Sequence, residues 1–136
     1  MIAFFDASAL IYLVEGVPPF VERLRTDLSR WSKKHPDAGA AVSRLSWLEC
    51  RVRPAREGDQ GTLIAFDAFF ARPGLIWVEL TKDVVELATA IRVRHRVRTP
   101  DALQAASCLQ LGADHVFLTG DRSFEKVAGL NVRLLA

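Results

Sequence analysis

The chain has 136 residues and a mass of 15.1 kDa, the size of one domain, and it is read as such over residues 1–136. Half of the residues are hydrophobic and 25% are charged, which excludes a disordered chain. The net charge of +2, from 18 Lys and Arg against 16 Asp and Glu, excludes a histone-like polycation, so the placement of charges matters more than their sum.

Residues 2–5 form a short apolar run ending in Asp6, the pattern of a buried strand with an acid at its carboxyl end. Residues 8–14 read as a short helix closed near Gly16. Pro18 and Pro19 suit the first turn of another helix, in which Phe20, Leu24, Leu28 and Trp31 make one apolar stripe that fades into Lys33, Lys34, His35 and Pro36. Residues 38–42 are small and apolar, a second buried strand. Ser43 or Ser46 caps the helix carrying Glu49 and Cys50, and Pro54 ends or kinks it. After a loop over residues 57–61, Leu63, Phe66, Phe69 and Phe70 form a helical stripe stopped by Pro73-Gly74. Residues 75–80 are a strand, and Thr81 caps a helix with Val84, Leu87, Ala88 and Ile91 on one face. Thr99-Pro100-Asp101 combines cap, proline and first-turn acid, opening a helix that runs to Gly112. Residues 115–119 are a buried strand ending at Gly120-Asp121, and residues 131–135 are the last strand.

Continuous apolar strands alternating with helices predict an α/β fold: a mainly parallel central sheet covered by helices on both faces. Cys50 and Cys108 cannot build a disulfide framework and match no zinc spacing, so a reduced, cytoplasmic setting is expected. The start of the chain lacks a basic region and meets Asp6 at once, unlike a signal peptide. The longest apolar run, residues 9–14, is far short of the roughly 18 residues of a membrane span. A soluble protein without a membrane partner is expected.

In an open α/β sheet, ligands sit beyond the carboxyl ends of the strands. Asp6 and Asp121 each follow a predicted strand, and Glu49 and Asp101 each lie near the start of a predicted helix, which is the same edge. Clustered carboxylates repel one another unless a cation neutralises them, and hard oxygen donors favour Mg²⁺ or Mn²⁺ over zinc. Such an ion polarises a phosphoryl oxygen and lowers the pKa of water, which points to metal-assisted phosphodiester hydrolysis. Each acid has a plainer reading. Asp6 suits a loop acid or a helix cap, Ser46-Trp47-Leu48-Glu49 is a capping box, Asp101 complements a helix dipole, and Asp121 fits a turn. Those readings do not predict that all four meet at one edge.

The stretch Thr99-Pro100-Asp101-Ala102-Leu103-Gln104-Ala105-Ala106, continuing through Leu111-Gly112-Ala113-Asp114 to Phe117-Leu118-Thr119-Gly120-Asp121-Arg122-Ser123-Phe124, resembles the C-terminal half of a PIN domain. Phe5-Asp6-Ala7-Ser8-Ala9-Leu10-Ile11 resembles its first strand and first acid. The similarity is greatest to VapC-type toxins of bacterial toxin–antitoxin pairs and covers nearly the whole chain. It implies that Asp6, Glu49, Asp101 and Asp121 form an acidic quartet that binds Mg²⁺ or Mn²⁺ and cuts RNA, leaving 5′-phosphate and 3′-hydroxyl ends. It also implies supporting hydroxyls at Ser8 and Thr119, a homodimer, and a VapB-type antitoxin that inserts a segment into the active-site groove. Gly120 departs from the resemblance, because the residue before the last acid is often Asn or another polar side chain. A glycine there is expected to loosen the turn presenting Asp121.

Arg92, Arg94, His95, Arg96 and Arg98 put five basic residues within seven, just before Asp101. They suit RNA phosphates or an antitoxin, or else a solvated helix end. Arg51, Arg53 and Arg56 raise the same choice. Trp31 and Trp77 sit in apolar patterns, which leaves Trp47 as the tryptophan with a surface role. The three histidines fit no nucleophile–base scheme, and no Gly-x-Ser-x-Gly or Walker loop is present. Ser8 in place of a second Asp argues against an aspartyl phosphatase of the haloacid-dehalogenase kind. Two competing functions stand beside the endoribonuclease: a PIN-like module that binds RNA or protein without cutting, and a metal-dependent phosphatase or nuclease of another substrate class.

Overall fold

The computed structural model describes residues 1–112 and 114–136, so Ala113 of the motif above lies outside the described residues. The elements in chain order are β1 (Ile2–Phe5), α1 (Ala7–Glu15), α2 (Phe20–Lys34), β2 (Gly39–Ser43), α3 (Arg44–Glu57), α4 (Gln60–Phe70), β3 (Ile76–Val78), α5 (Lys82–Arg94), α6 (Thr99–Gln110), β4 (His115–Thr119), a short 3₁₀ helix (Arg122–Lys126) and β5 (Val132–Leu134). The five strands form one sheet in the order β3-β2-β1-β4-β5, and every pairing is parallel.

Helices on both faces follow from strands that are apolar on both sides. Phe4, Ala41 and Phe117 point to one face, where Val84, Ala88 and Ile91 of α5 and Ala102, Ala105 and Ala106 of α6 cover them. Ala3, Phe5, Val42 and Leu118 point to the other, under Ala9 and Leu10 of α1, Leu24 of α2, Cys50 of α3 and Phe66, Phe69 and Phe70 of α4. The two cores lie on opposite faces of the sheet. Phe4 and Phe117 lie side by side in register and stack at 5.4 Å, each buried phenyl ring contributing about 2–3 kcal/mol.

This order positions the site. From β1 the chain crosses to β2 and then β3 over one face, and returns over the other face through α5 and α6 to β4 on the far side of β1. The direction of connection therefore reverses between β1 and β4, and a crevice opens at such a switch point beyond the strands' carboxyl ends. Asp6 and Asp121 flank it, following β1 and β4.

Local details correct several expectations. Pro54 neither ends α3 nor stops it short: α3 continues to Glu57 and closes at Gly58, whose φ of 67° only glycine adopts readily. Pro54 is buried, so tertiary packing holds a residue that the isolated helix disfavours. The expected loop over residues 57–61 shrinks, because Asp59 caps α4 and accepts from the Thr62 amide. Thr99 is the first residue of α6, not its cap, and its hydroxyl accepts from Arg92. Trp47 is partly buried: it packs on Phe70 and Trp77, with the Arg44 and Arg51 guanidinium groups against the tryptophan rings. Both cysteines are buried thiols, and burial pushes Cys108 up to about 12. Among the described residues, no helix is long and apolar enough to cross a membrane.

Candidate active site

Asp6 is the N-cap of α1 and is buried, 4% exposed. It accepts three hydrogen bonds: from the Ala9 amide at 2.9 Å, the Ser8 hydroxyl at 2.7 Å and the Thr119 hydroxyl at 2.5 Å. The capping reading from sequence is therefore correct, and it does not exhaust the residue. Asp6 stands one position past the registered pair Phe5–Leu118, which brings Thr119 to its side. Burial pushes the carboxyl up to about 6; the three donors oppose this, and the negative charge of Glu49 adds to it.

Ser8 and Thr119 each use one hydroxyl twice. Ser8 donates to Asp6 and accepts from the Gly120 amide at 2.9 Å. Thr119 donates to Asp6 and accepts from the Asp121 amide at 3.0 Å. Two hydroxyls thus tie the end of β1 to the turn after β4. The amides of Gly120 and Asp121 are both hydrogen-bonded in this turn. A Cβ at Gly120 would collide with the Tyr12 hydroxyl, so glycine is required by close approach. Asp121 caps the 3₁₀ helix through the Ser123 amide at 2.8 Å.

Glu49 and Asp101 come from α3 and α6. The capping-box explanation of Glu49 fails, because Ser43 is the cap of α3 and Ser46 lies inside the helix. Ser46 and Glu49 instead both accept from Gln104, each at 2.9 Å from its amide nitrogen. Gln104 is 3% exposed and follows Asp101 on the same face of α6. The sequence reading missed it; the signal was an amide among the apolar residues of α6, one turn after an acid. Glu49 is half-buried, and its pKa is raised by burial and by Asp101, against the Gln104 hydrogen bond and the charge of Arg98. Arg98 reaches Asp101 at 3.3 Å.

Three of the acids form an electrostatic chain at this edge, Glu49 acting on Asp6 and Asp101 on Glu49, while Asp121 is tied to Asp6 through the Thr119 hydroxyl. Each has its own local donor, and among the described residues no three His, Cys, Asp or Glu side chains form a ready-made ion cage. Glu49, Asp101 and Asp121 each keep one carboxylate oxygen without a hydrogen-bond partner among the described residues. This is an all-oxygen donor set of the kind that suits a hard divalent cation.

The basic run before α6 divides. Arg92 closes the α5–α6 loop, donating to the Val97 carbonyl at 3.1 Å and to Thr99 at 2.9 Å. Arg98 faces Asp101, while Arg94 and Arg96 stand exposed. Of the other group, Arg53 pairs with Glu15 and Glu57, and Arg51 lies 3.5 Å from Asp67.

The PIN domain family model matches residues 3–130. The chain belongs to the PIN domain family. No curated protein sequence matches it. Solved structures share its fold. The PIN domain resembles VapBC2 from Rickettsia felis bound to a promoter DNA fragment, with a TM-score of 0.78, 14% identity and 98% of each chain covered. It resembles a toxin–antitoxin complex from Klebsiella pneumoniae with a TM-score of 0.70, 20% identity and 98% of each chain covered. It also resembles the sarcin–ricin-loop-cleaving toxin VapC20 from Mycobacterium tuberculosis, with a TM-score of 0.67, 19% identity, 95% of this chain and 98% of that one covered.

One expectation about this PIN domain concerns Gln104. Gln104→Leu removes the donor that orients Glu49 and leaves the helix intact. It should weaken Mn²⁺ binding, read by calorimetric titration, by about ten- to a hundredfold, the worth of one charge-assisted hydrogen bond.

Proposed function

We propose that this PIN domain is a divalent-metal-dependent endoribonuclease, the toxin of a toxin–antitoxin pair, acting through Asp6, Glu49, Asp101 and Asp121. The observation that carries the reading is the buried Asp6 carboxylate, bound through Thr119 to the Asp121 turn and electrostatically coupled to Glu49. Four acids at a switch-point crevice repel one another, and a cation relieves that repulsion. The free oxygens of Glu49, Asp101 and Asp121 would hold Mg²⁺ or Mn²⁺ together with Asp6. The ion supplies polarisation of the phosphodiester and a lowered pKa for attacking water. Ser8 and Thr119 hold Asp6 in one rotamer, and Gln104 holds Glu49, so the donors need little reorganisation.

RNA as substrate is favoured by the VapC20 likeness, since that protein cleaves the sarcin–ricin loop. A VapB-type antitoxin is favoured by the several neighbours solved as toxin–antitoxin complexes. Exposed Arg94 and Arg96 are available to either partner, with Arg92 and Arg98 beside them. Leu48 and Val52, exposed along α3, are apolar surface that a homodimer or antitoxin would cover. Two buried thiols suit a reducing cytoplasm.

The test is cleavage of total RNA by purified, antitoxin-free protein in Mg²⁺, in Mn²⁺ and in EDTA, with single-stranded DNA and a phosphomonoester as parallel substrates. Discrete RNA fragments that require metal are expected. Turnover of DNA or phosphomonoester alone would transfer the site to another phosphate ester. Metal-independent RNA binding without any turnover would leave a binding module.

A further inference from the structure

Tyr12 is a residue that no motif points to, and it stands inside the acidic edge. It lies on α1 with its ring stacked on Phe20, centroids 4.4 Å apart and planes at 24°. Its hydroxyl edge abuts Gly120, where an added Cβ would collide with the hydroxyl and stand 2.8 Å from Cε2 and Cζ. The residue between Thr119 and Asp121 therefore gives up its side chain to make room for this phenol. The Tyr12 hydroxyl makes no hydrogen bond among the described residues. The charges of both Asp6 and Asp121 act on it, which places it between the ends of β1 and β4.

A purely structural role does not explain the hydroxyl. Phenylalanine would stack on Phe20 equally well, and the partly exposed hydroxyl, with no protein partner among the described residues, is open to a ligand. Base stacking is disfavoured on the ring face that Phe20 covers. What remains is a neutral donor beside Gly120, within electrostatic reach of Asp6 and Asp121. Lys or Arg at this place would pair with Asp6 or Asp121 and compete for the oxygens a cation needs. A phenol donates to an anionic ligand without neutralising those acids.

We propose that the Tyr12 hydroxyl is a further substrate-contacting group, donating a hydrogen bond to a non-bridging oxygen of the RNA phosphodiester held at the acidic edge. The inference rests on the nuclease reading, and the experiment separates the two.

Wild type and Tyr12→Phe are compared in three measurements: binding of fluorescein-labelled oligouridylate in Ca²⁺, cleavage of total RNA in Mg²⁺, and Mn²⁺ affinity by calorimetry. The expected result for Tyr12→Phe is RNA binding weakened about three- to tenfold and cleavage slowed about tenfold, with Mn²⁺ affinity within about twofold of wild type. Gly120→Ala should displace the phenol and slow cleavage likewise, and it should cost less in the Tyr12→Phe background than alone. Wild-type rates and RNA affinity in Tyr12→Phe would overturn the inference and leave the nuclease reading intact. A parallel loss of Mn²⁺ affinity would make Tyr12 a structural residue and also overturn it. A wild-type protein that neither cuts nor binds RNA overturns the nuclease reading, and the inference with it.

Discussion

Asp6→Asn is expected to abolish RNA cleavage, by about a thousandfold or more, while making the metal-free protein more stable at neutral pH. Both effects come from one fact: a carboxylate is buried where a neutral group would be easier to bury. Its pKa is pushed from 3.8 to about 6, chiefly by desolvation. The protonated form is thus the one the fold prefers. Its contribution is fully present below about pH 4 and is lost as pH rises through about 6, because the unfolded chain then releases the proton first. A two-unit shift corresponds to at most about 3 kcal/mol. In EDTA, Asp6→Asn should therefore exceed the wild type in denaturant stability by about 1–3 kcal/mol at pH 7.5, and the difference should shrink towards pH 4. Saturating Mn²⁺ should stabilise the wild type more than Asp6→Asn, since the variant lacks one of the four charges that would hold the ion. Equal pH profiles for the two proteins in EDTA would show that Asp6 is not held under this strain. Stability given up at a residue that catalysis needs is a recurrent feature of active sites.

The parts of the fold legible in the sequence were those written in continuous apolar runs. Residues 2–5 and 115–119 are buried from both sides, so their strands and their terminal acids could be placed without knowing what they pair with. The convergence of Asp6 and Asp121 then followed from general α/β topology. Short-range rules failed where a partner distant in sequence set the outcome. Ser46 and Glu49 fit a capping box, yet the helix starts at Arg44, because Ser43 ends β2 and caps directly. Pro54 reads as a breaker and is carried inside α3 by its burial. The 3₁₀ helix over Arg122–Lys126 is a single short segment and offers no period to detect. Gln104 and Tyr12 are hidden for a different reason: each is flanked by apolar residues on its helix, and its place appears only when Glu49 or Gly120 is brought beside it. Gly120 shows the same limit from the other side. In the sequence it is a missing polar side chain, and in the fold it is space for one that arrives from α1.

Thr119→Val is the sharpest test of the link between the two strand ends. Valine has nearly the shape of threonine, so the packing of a fully buried residue is kept and only the hydroxyl is lost. That hydroxyl donates to Asp6 at 2.5 Å and accepts from the Asp121 amide at 3.0 Å. Its removal takes one charge-assisted bond from a buried carboxylate and leaves a backbone amide unpaired, which costs about 2–4 kcal/mol. The bond to Asp6 favours the charged form, so losing it raises that carboxyl further. In EDTA the deficit in denaturant stability should therefore be larger at pH 8, where Asp6 must be charged, than at pH 4, where both proteins bury a neutral acid. Cleavage should fall about ten- to a hundredfold, because the Asp121 turn loses its anchor to β4 and Asp6 loses the donor that fixes its second oxygen. Thr119→Ser restores the hydroxyl and should recover most of the activity and the pH slope, although its missing methyl leaves a small stability deficit. A valine variant with wild-type stability and cleavage would mean that Asp6 and Asp121 are positioned independently, and the acidic edge would then be two neighbouring turns with no shared scaffold.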